Sequence, residues 1–333
     1  MSPIIGARWR GRSRSGVWRT EYRDLGVEPR RELASGMLIR LRQGLARQFI
    51  QPPRPALSVV PQRAAVVVPM STRDELLPEE QISLLHLRRH LDNYDKYLVA
   101  PQRSDVEFQG FRTLKFAPRF FGSVAAHNHL LMWRPFYESF QEYTYILIYH
   151  LDSLVFADHL QYWCERGWDY IGAPWLPCDA TPWVQEARVG NGGFTLMNVQ
   201  SAINVLYERH RQNPDTVWAD IVTSRSAKLA PVFKVMERIS SAFPAWSSLA
   251  RVVNYWRATQ QPSFYGSNSD WFWSTESTRY LPSFRVASVQ DGLRFAFEAA
   301  PRTCYEMNGR QLPFGCHAWM KFDPEFWKPH LLH

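Results

Sequence analysis

The sequence predicts an α/β fold with a buried, parallel-type sheet flanked by helices, and three observations carry that reading. Residues 64–70 (AAVVVPM) and 143–149 (YTYILIY) are short apolar runs of the kind buried on both faces of a parallel sheet. The first is followed by a helical stripe of Leu84, Leu87 and Leu91 and then by KYLVA at 96–100. Strand, helix and strand at this spacing form a βαβ unit. The second run leads into His150, Leu151 and Asp152. A carboxylate just past the C-terminal end of a buried strand stands where open α/β sheets bind ligands. Read alone, Asp152 is equally a cap for the following turn.

Composition narrows the function classes. A chain of 333 residues can bury a large core, as one large domain or two. Its 14 Trp, 14 Tyr and 20 Phe argue for a folded, ring-rich protein. The net charge of +8 is not spread evenly: residues 1–63 carry 13 Arg and no Lys against 4 acidic residues, which leaves the remainder near neutral. That distribution does not support nucleic-acid binding by the folded part. No two of Cys164, Cys178, Cys304 and Cys316 have CxxC spacing, so a structural zinc site has little support. No apolar run follows the N-terminal arginines as in a secretory signal, and none approaches the ~18 residues of a membrane span. The expected compartment is a reducing cytoplasm.

In chain order, residues 1–63 read as an Arg-rich, largely disordered leader. Within it, residues 37–50 place Met37, Leu38, Leu41, Leu45 and Phe49 at three- and four-residue steps among arginines. That is a basic amphipathic helix, suited to the inner face of a membrane or to packing on the body. Residues 64–333 are predicted as a single domain with a variable insertion near 211–262. Its opening βαβ is followed by a strand at 111–116 and one long helix at 124–141, which buries Leu130, Leu131, Trp133, Phe136, Tyr137 and Phe140. Beyond the 143–149 strand, Asp158 is expected to cap the next helix, and residues 168–172 form another strand. Residues 173–188, with Trp175 and Trp183 among three prolines, read as an ordered loop or lid with exposed rings.

Residues 189–196 (VGNGGFTL) set Gly190, Gly192 and Gly193 before an apolar strand, which means backbone lying close to something. The pattern is neither GxGxxG nor a P-loop. A helix follows at 199–209. NSDWFWS at 268–274 opens a helix with Asp270 in its first turn; residues 293–298 read as a short strand and 312–319 (LPFGCHAW) as a tight aromatic loop. The polar groups in apolar or Gly-rich settings are therefore Asp152, Asn191, Asp270 and His317. Their bland roles are a turn cap, a left-handed turn, a helix N-terminal charge and a satisfied buried histidine.

The blocks LDSLVF, WDYIGAPW, VGNGGFTL, DWFWS and LPFGCHAW resemble, in this order, a bacterial family known as a domain of unknown function and regarded as glycosyltransferase-like. It is similar to the GT-A class of nucleotide-sugar glycosyltransferases, over roughly residues 64–327. The resemblance implies a GT-A-like, Rossmann-type mixed sheet flanked by helices and a nucleotide-sugar donor, with the nucleotide near Pro69. Asp152 resembles the metal-side acid of a D-x-D motif, binding Mn²⁺ or Mg²⁺ against the donor diphosphate. The residues after it, Ser153 and Leu154, supply no second acid, and a metal-independent reaction is equally compatible. Asn191, Gly192 and Gly193 resemble the strand beside donor sugar and acceptor. Asp270 resembles the catalytic base of inverting members, and His317 the late histidine that reaches metal or diphosphate. Trp175 and Trp319, with Trp183, are candidates to stack on sugar faces. The implied activity is glycosyl transfer to a glycan or other acceptor in cell-envelope or polysaccharide synthesis. The alternative is a catalytically silent relative that binds a sugar nucleotide or glycan.

Overall fold

The computed structural model describes residues 64–70, 73, 75–212 and 268–332. The expected leader, its amphipathic helix at 37–50 and the insertion beyond Gln212 lie outside them. The strands are β1 (Ala64–Pro69), β2 (Asp95–Pro101), β3 (Arg112–Phe116), β4 (Tyr145–Tyr149), β5 (Leu154–Val155), β6 (Tyr170–Ile171), β7 (Pro174–Trp175), β8 (Arg188–Val189), β9 (Phe194–Asn198), β10 (Ala296–Phe297) and β11 (Gly315–Cys316). The main sheet has the order β3-β2-β1-β4-β9-β6. β3, β2, β1 and β4 are parallel, whereas β9 runs antiparallel to both β4 and β6. The fold is thus α/β, a Rossmann-type mixed sheet flanked by helices.

Why these strands sit centrally follows from their residues. Val66, Val67, Val68, Ile146, Leu147 and Ile148 are all essentially without exposure. Each such side chain contributes about 1.5–3 kcal/mol by leaving water. The first crossover helix, α1 (Pro78–Leu91), starts on a proline, where a missing N–H is harmless. It buries the predicted Leu84, Leu87 and Leu91.

The predicted long helix is two: α2 (Val124–Leu131), capped by Ser123, and α3 (Arg134–Glu138). Pro135 lacks an N–H, and its ring would clash with the Leu131 carbonyl in a continuous helix. That carbonyl instead accepts from the Tyr137 hydroxyl at 2.9 Å and the Trp273 indole at 3.3 Å. Five of the six predicted side chains are buried; Trp133 is only partly so.

Three further expectations are corrected. Asp158 does not cap α4 (Leu160–Glu165); it accepts from the Tyr94 hydroxyl at 2.9 Å, and His159 starts the helix without a side-chain cap. Residues 173–188 form an ordered loop, as expected, but only one of its two tryptophan rings is exposed. β7 and β8 pair at its two ends and bury Trp175, so that among its tryptophans only Trp183 is exposed, at 62%. Most of the predicted strand at 293–298 ends a helix instead, and only β10 remains extended. All four cysteines are free, and among the described residues no helix is long and apolar enough to cross a membrane.

Two features of the topology position the site. The sheet changes direction of growth at β1, with β2 on one side and β4 on the other, and a crevice opens beyond their carboxyl ends. Antiparallel β9 starts at that same end, since Phe194 pairs with Tyr149. A second, three-stranded sheet of order β10-β11-β5 pairs Cys316 with Leu154. That register sets His317 beside the turn that carries Asp152.

Candidate functional site

Residues 150–153 form a tight turn at the end of β4, closed by the Ser153 N–H donating to the His150 carbonyl at 2.9 Å. The Ser83 and Tyr149 hydroxyls both donate to the Ser153 carbonyl, at 2.6 and 3.0 Å. Leu151 is buried, and Asp152 is left 47% exposed in the crevice. Its carboxylate is no turn cap. It meets His317 Nε2 at 3.2 Å, while His317 Nδ1 meets Glu298 at 3.1 Å.

The glycine run explains how these parts come together. A Cβ on Gly193 would lie 2.1 Å from the His317 ring, and one on Gly190 would lie 2.3 Å from the Trp175 ring. A Cβ on Gly192 would be 3.3 Å from Asp270 Cβ. The backbone therefore approaches the protein's own site side chains. The Gly193 carbonyl also accepts from the His150 N–H at 2.9 Å and from Ser153 Oγ at 3.2 Å, stitching the two segments together. Asn191 is not in a left-handed turn, since its φ is not among the positive ones. Its Oδ1 accepts from the Gly193 N–H at 2.9 Å, an Asx turn that shapes the run.

Asp270 stands in the first turn of α5 (Ser269–Trp271), which continues directly into a π-helical turn at Phe272–Glu276. Asn128 holds this start in place. Its Oδ1 accepts from Ser269 N at 3.1 Å and Ser269 Oγ at 2.8 Å, and its Nδ2 donates to Asn268 at 3.0 Å.

Charge in the site is sorted by surroundings. Burial lowers His127 to about 4, and His317 adds to the effect. Burial, then His127 and His317, hold His150 well below its ordinary value. Their Nε2 atoms face each other at 2.9 Å, one donating to the other's lone pair. Burial would lower His317 as well, but Asp152 and Glu298 outweigh it and push the ring up to about 10. Burial would raise Asp152; the charge and hydrogen bond of His317, with a further contribution from His150, hold it well below the usual carboxylate range. Burial, reinforced by Glu298, lifts Asp270 to about 6, although the Trp271 N–H and His317 oppose it. One carboxylate is thus fixed as an anion beside an imidazolium, and another is poised near neutrality.

These groups line a cleft of about 750 Å³ that also includes Pro69, Met70, Arg73 and Asn191. Of the predicted site residues, Pro69, Asp152, Asn191, Gly192, Gly193, Asp270 and His317 meet here. Trp175 and Trp319 do not line the cleft: Trp175 stacks on Trp271 at 5.9 Å between ring centroids, and Trp319 is 3% exposed in the core of the second sheet. The donor set fits a divalent ion, since His150, Asp152 and His317 each bring one ligand atom, all within 4.8 Å of one another. Sequence reasoning missed His150, His127, Asn128 and Glu298.

The match with a known family covers the part of this assembly from α2 to His317 and leaves out the β1 end of the cleft: the family described as "Protein of unknown function (DUF5672)" matches residues 110–317. The chain belongs to the DUF5672 family. The matched segment of this DUF5672 protein contains the turn, the glycine run, Asp270 and His317. No curated protein matches it. Among solved structures, it is similar to the apo form of glycosyltransferase GlyE from Streptococcus pneumoniae TIGR4. Identity is 12% and the TM-score 0.38, over 80% of this chain and 60% of that one. It is also similar to the mannosyltransferase PcManGT from Pyrobaculum calidifontis, solved with GDP-Man and Mn²⁺. There the identity is 12% and the TM-score 0.27, over 75% of this chain and 89% of that one. The DUF5672 chain therefore spans less than two thirds of the first of these proteins.

Proposed function

We propose that the protein is a glycosyltransferase moving a sugar from a nucleotide-sugar donor to a glycan hydroxyl. The observation that carries this reading is the pairing of two unlike carboxylates in one cleft. Asp270, lifted to about 6, is ionised at neutral pH yet basic enough to take a proton. Asp152, with His317, forms an anion–cation pair of the kind that receives a diphosphate or its metal ion. Gly192 lies against Asp270 and Gly193 against His317, so one glycine run adjoins both centres.

In the proposed reaction the acceptor oxygen attacks the anomeric carbon as its proton passes to Asp270 Oδ. The bond from that carbon to the diphosphate breaks, and the nucleoside diphosphate leaves. With no ion bound, protonated His317 holds positive charge toward the departing phosphates, and Glu298 at Nδ1 fixes its ring. Asn191 shapes the glycine run that seats Asp270 and His317 beside the sugar, and Pro69 and Met70 at the end of β1 face the nucleotide. A divalent ion on Asp152 and His317, Mn²⁺ or Mg²⁺, would neutralise charge developing on the leaving group. Following the resemblance, the acceptor belongs to a cell-envelope or secreted polysaccharide and the reaction is cytoplasmic, at the inner membrane face if residues 37–50 bind there.

The test is a thermal-shift panel of UDP-, GDP-, dTDP- and CMP-sugars with Mn²⁺, Mg²⁺ or chelator, followed by product detection with the responsive donor. A ligand at a hundred times its Kd adds about 2.7 kcal/mol. A shift with one nucleotide class and sugar release that is lost in Asp270→Asn is expected. Binding without turnover would replace the transferase reading with a silent sugar-nucleotide binder, and no shift with any donor would refute both.

A further inference from the structure

We infer that His150 completes a centre of two imidazoles and one carboxylate, with Asp152 and His317, which selects transition-metal ions such as Mn²⁺, Co²⁺ or Zn²⁺ and discriminates against Mg²⁺ and Ca²⁺. The inference builds on the proposed function but concerns the ion site alone. The sequence around Asp152 contains no second acid. The turn geometry brings a histidine instead: one ring nitrogen of His150, one carboxylate oxygen of Asp152 and one ring nitrogen of His317 lie within 4.8 Å of one another. The His150 and His317 rings meet edge to face at 5.4 Å.

Donor chemistry decides the ion. Mg²⁺ and Ca²⁺ take oxygen ligands, and Mg²⁺ gives up its waters reluctantly. Imidazole suits Zn²⁺, Cu²⁺, Fe²⁺ and Ni²⁺, and affinities for mixed sites rise from Mn²⁺, the weakest of the series and the one most at home with oxygen ligands, toward Cu²⁺. An acid at position 150 would make the site hard and more negative. Histidine makes it softer and removes one negative charge.

The site is also built before any donor arrives. Gly193 lets the His317 ring lie against the backbone, and its carbonyl holds the His150 N–H. Each ring has a partner that orients it: Glu298 at His317 Nδ1 and His127 at His150 Nε2. Such partners are a regular feature of ligating histidines. A lone carboxylate would need the donor's phosphates to hold an ion; this trio does not.

The test uses the full chain, stripped with chelator and free of nucleotide. Calorimetric titration with Mn²⁺, Co²⁺, Zn²⁺, Mg²⁺ and Ca²⁺ should show the first three binding tighter than the last two by about tenfold or more. His150→Ala should weaken Co²⁺ by about tenfold or more, since losing even the hydrogen-bond partner of a ligand has an effect of that order. His150→Asp should narrow the gap between Mn²⁺ and Mg²⁺. Spin-echo modulation of the Mn²⁺ form should report two histidine nitrogens in the unaltered protein, which keeps the test decisive if a variant fails to fold. Mg²⁺ binding as tightly as Co²⁺, an unchanged His150→Ala, modulation from fewer than two histidines, or no ion binding at all would overturn the inference. Because the titration uses no donor, it is independent of the donor panel: selective ion binding beside a failed transfer assay would sink the transferase reading and leave this one standing. Transfer without ion selectivity would do the reverse.

Discussion

Gly193→Ala tests how the site is held together. The added Cβ would sit 2.1 Å from the His317 ring, against a normal carbon contact near ~3.5 Å. The ring must then retreat by roughly an ångström, and its 3.2 Å and 3.1 Å contacts with Asp152 and Glu298 break. Gly193 has no positive φ, so alanine itself fits the backbone. The penalty is one of overpacking, about 1–3 kcal/mol. In a His317→Ala background the obstacle is gone. There the same substitution should be neutral, or stabilising by about 0.4–1 kcal/mol through a stiffer unfolded chain. The expected coupling is about 1.5–3 kcal/mol, as for residues in direct contact. Urea unfolding of the four proteins of the cycle measures it, with midpoints compared at constant m. Additivity within about 0.5 kcal/mol would refute the claim that Gly193 exists to seat His317.

Asp270 and Asn128 give three more expectations. Since Asp270 titrates at about 6, sugar transfer should decline as pH falls through that value, and Asp270→Asn should reduce kcat by about 10²–10⁴ with donor binding kept; a pH–rate profile flat from 5 to 7 would count against this role. The same lifted pKa has a stability consequence. The proton's contribution to the fold is complete below about pH 4 and is lost as pH rises through 6. Asp270→Asn should therefore stabilise the protein at pH 7.5 by at most about 3 kcal/mol and have little effect at pH 4, as thermal melts at the two pH values would show. Asn128→Ala removes the bonds to Asn268 and Ser269 and should cost about 1–2 kcal/mol. It should lower kcat while leaving ion affinity intact, because its side-chain partners Asn268 and Ser269 make no hydrogen bond to His150, Asp152 or His317; a parallel loss of ion affinity would argue for a general structural role.

Much of the sheet was legible because its signal is local. Runs such as AAVVVPM and YTYILIY are apolar on every residue, and only a strand buried on both faces needs that. The failures have equally local causes. Pro135 was passed over inside a convincing apolar stripe, and proline chemistry outranks the stripe. A tryptophan among prolines reads as an exposed ring, but the pairing of β7 with β8 and the space left by Gly190 bury Trp175. His150 was readable in principle. Two residues ahead of Asp152, it has the spacing of two ligands about one intervening residue, but on the N-terminal side, whereas a D-x-D reading from Asp152 looks toward Leu154. Glu298 and Asn128 had no signal at all, since their roles arise from elements 19 and 140 residues away along the chain.

The pairing that delivers His317 to Asp152 consists of two-residue strands, β5 against β11. So short a ladder opens at a fraction of the free energy needed to unfold the main sheet. Whatever binds across Asp152 and His317 must close that opening, by an amount that grows with the logarithm of its concentration. The amides of Phe156 and Trp319, which donate across this junction to Phe314 and Asp152, should therefore exchange with solvent more slowly as the cleft fills. Their deuterium uptake would report occupancy directly, whatever the occupant, without knowledge of the reaction.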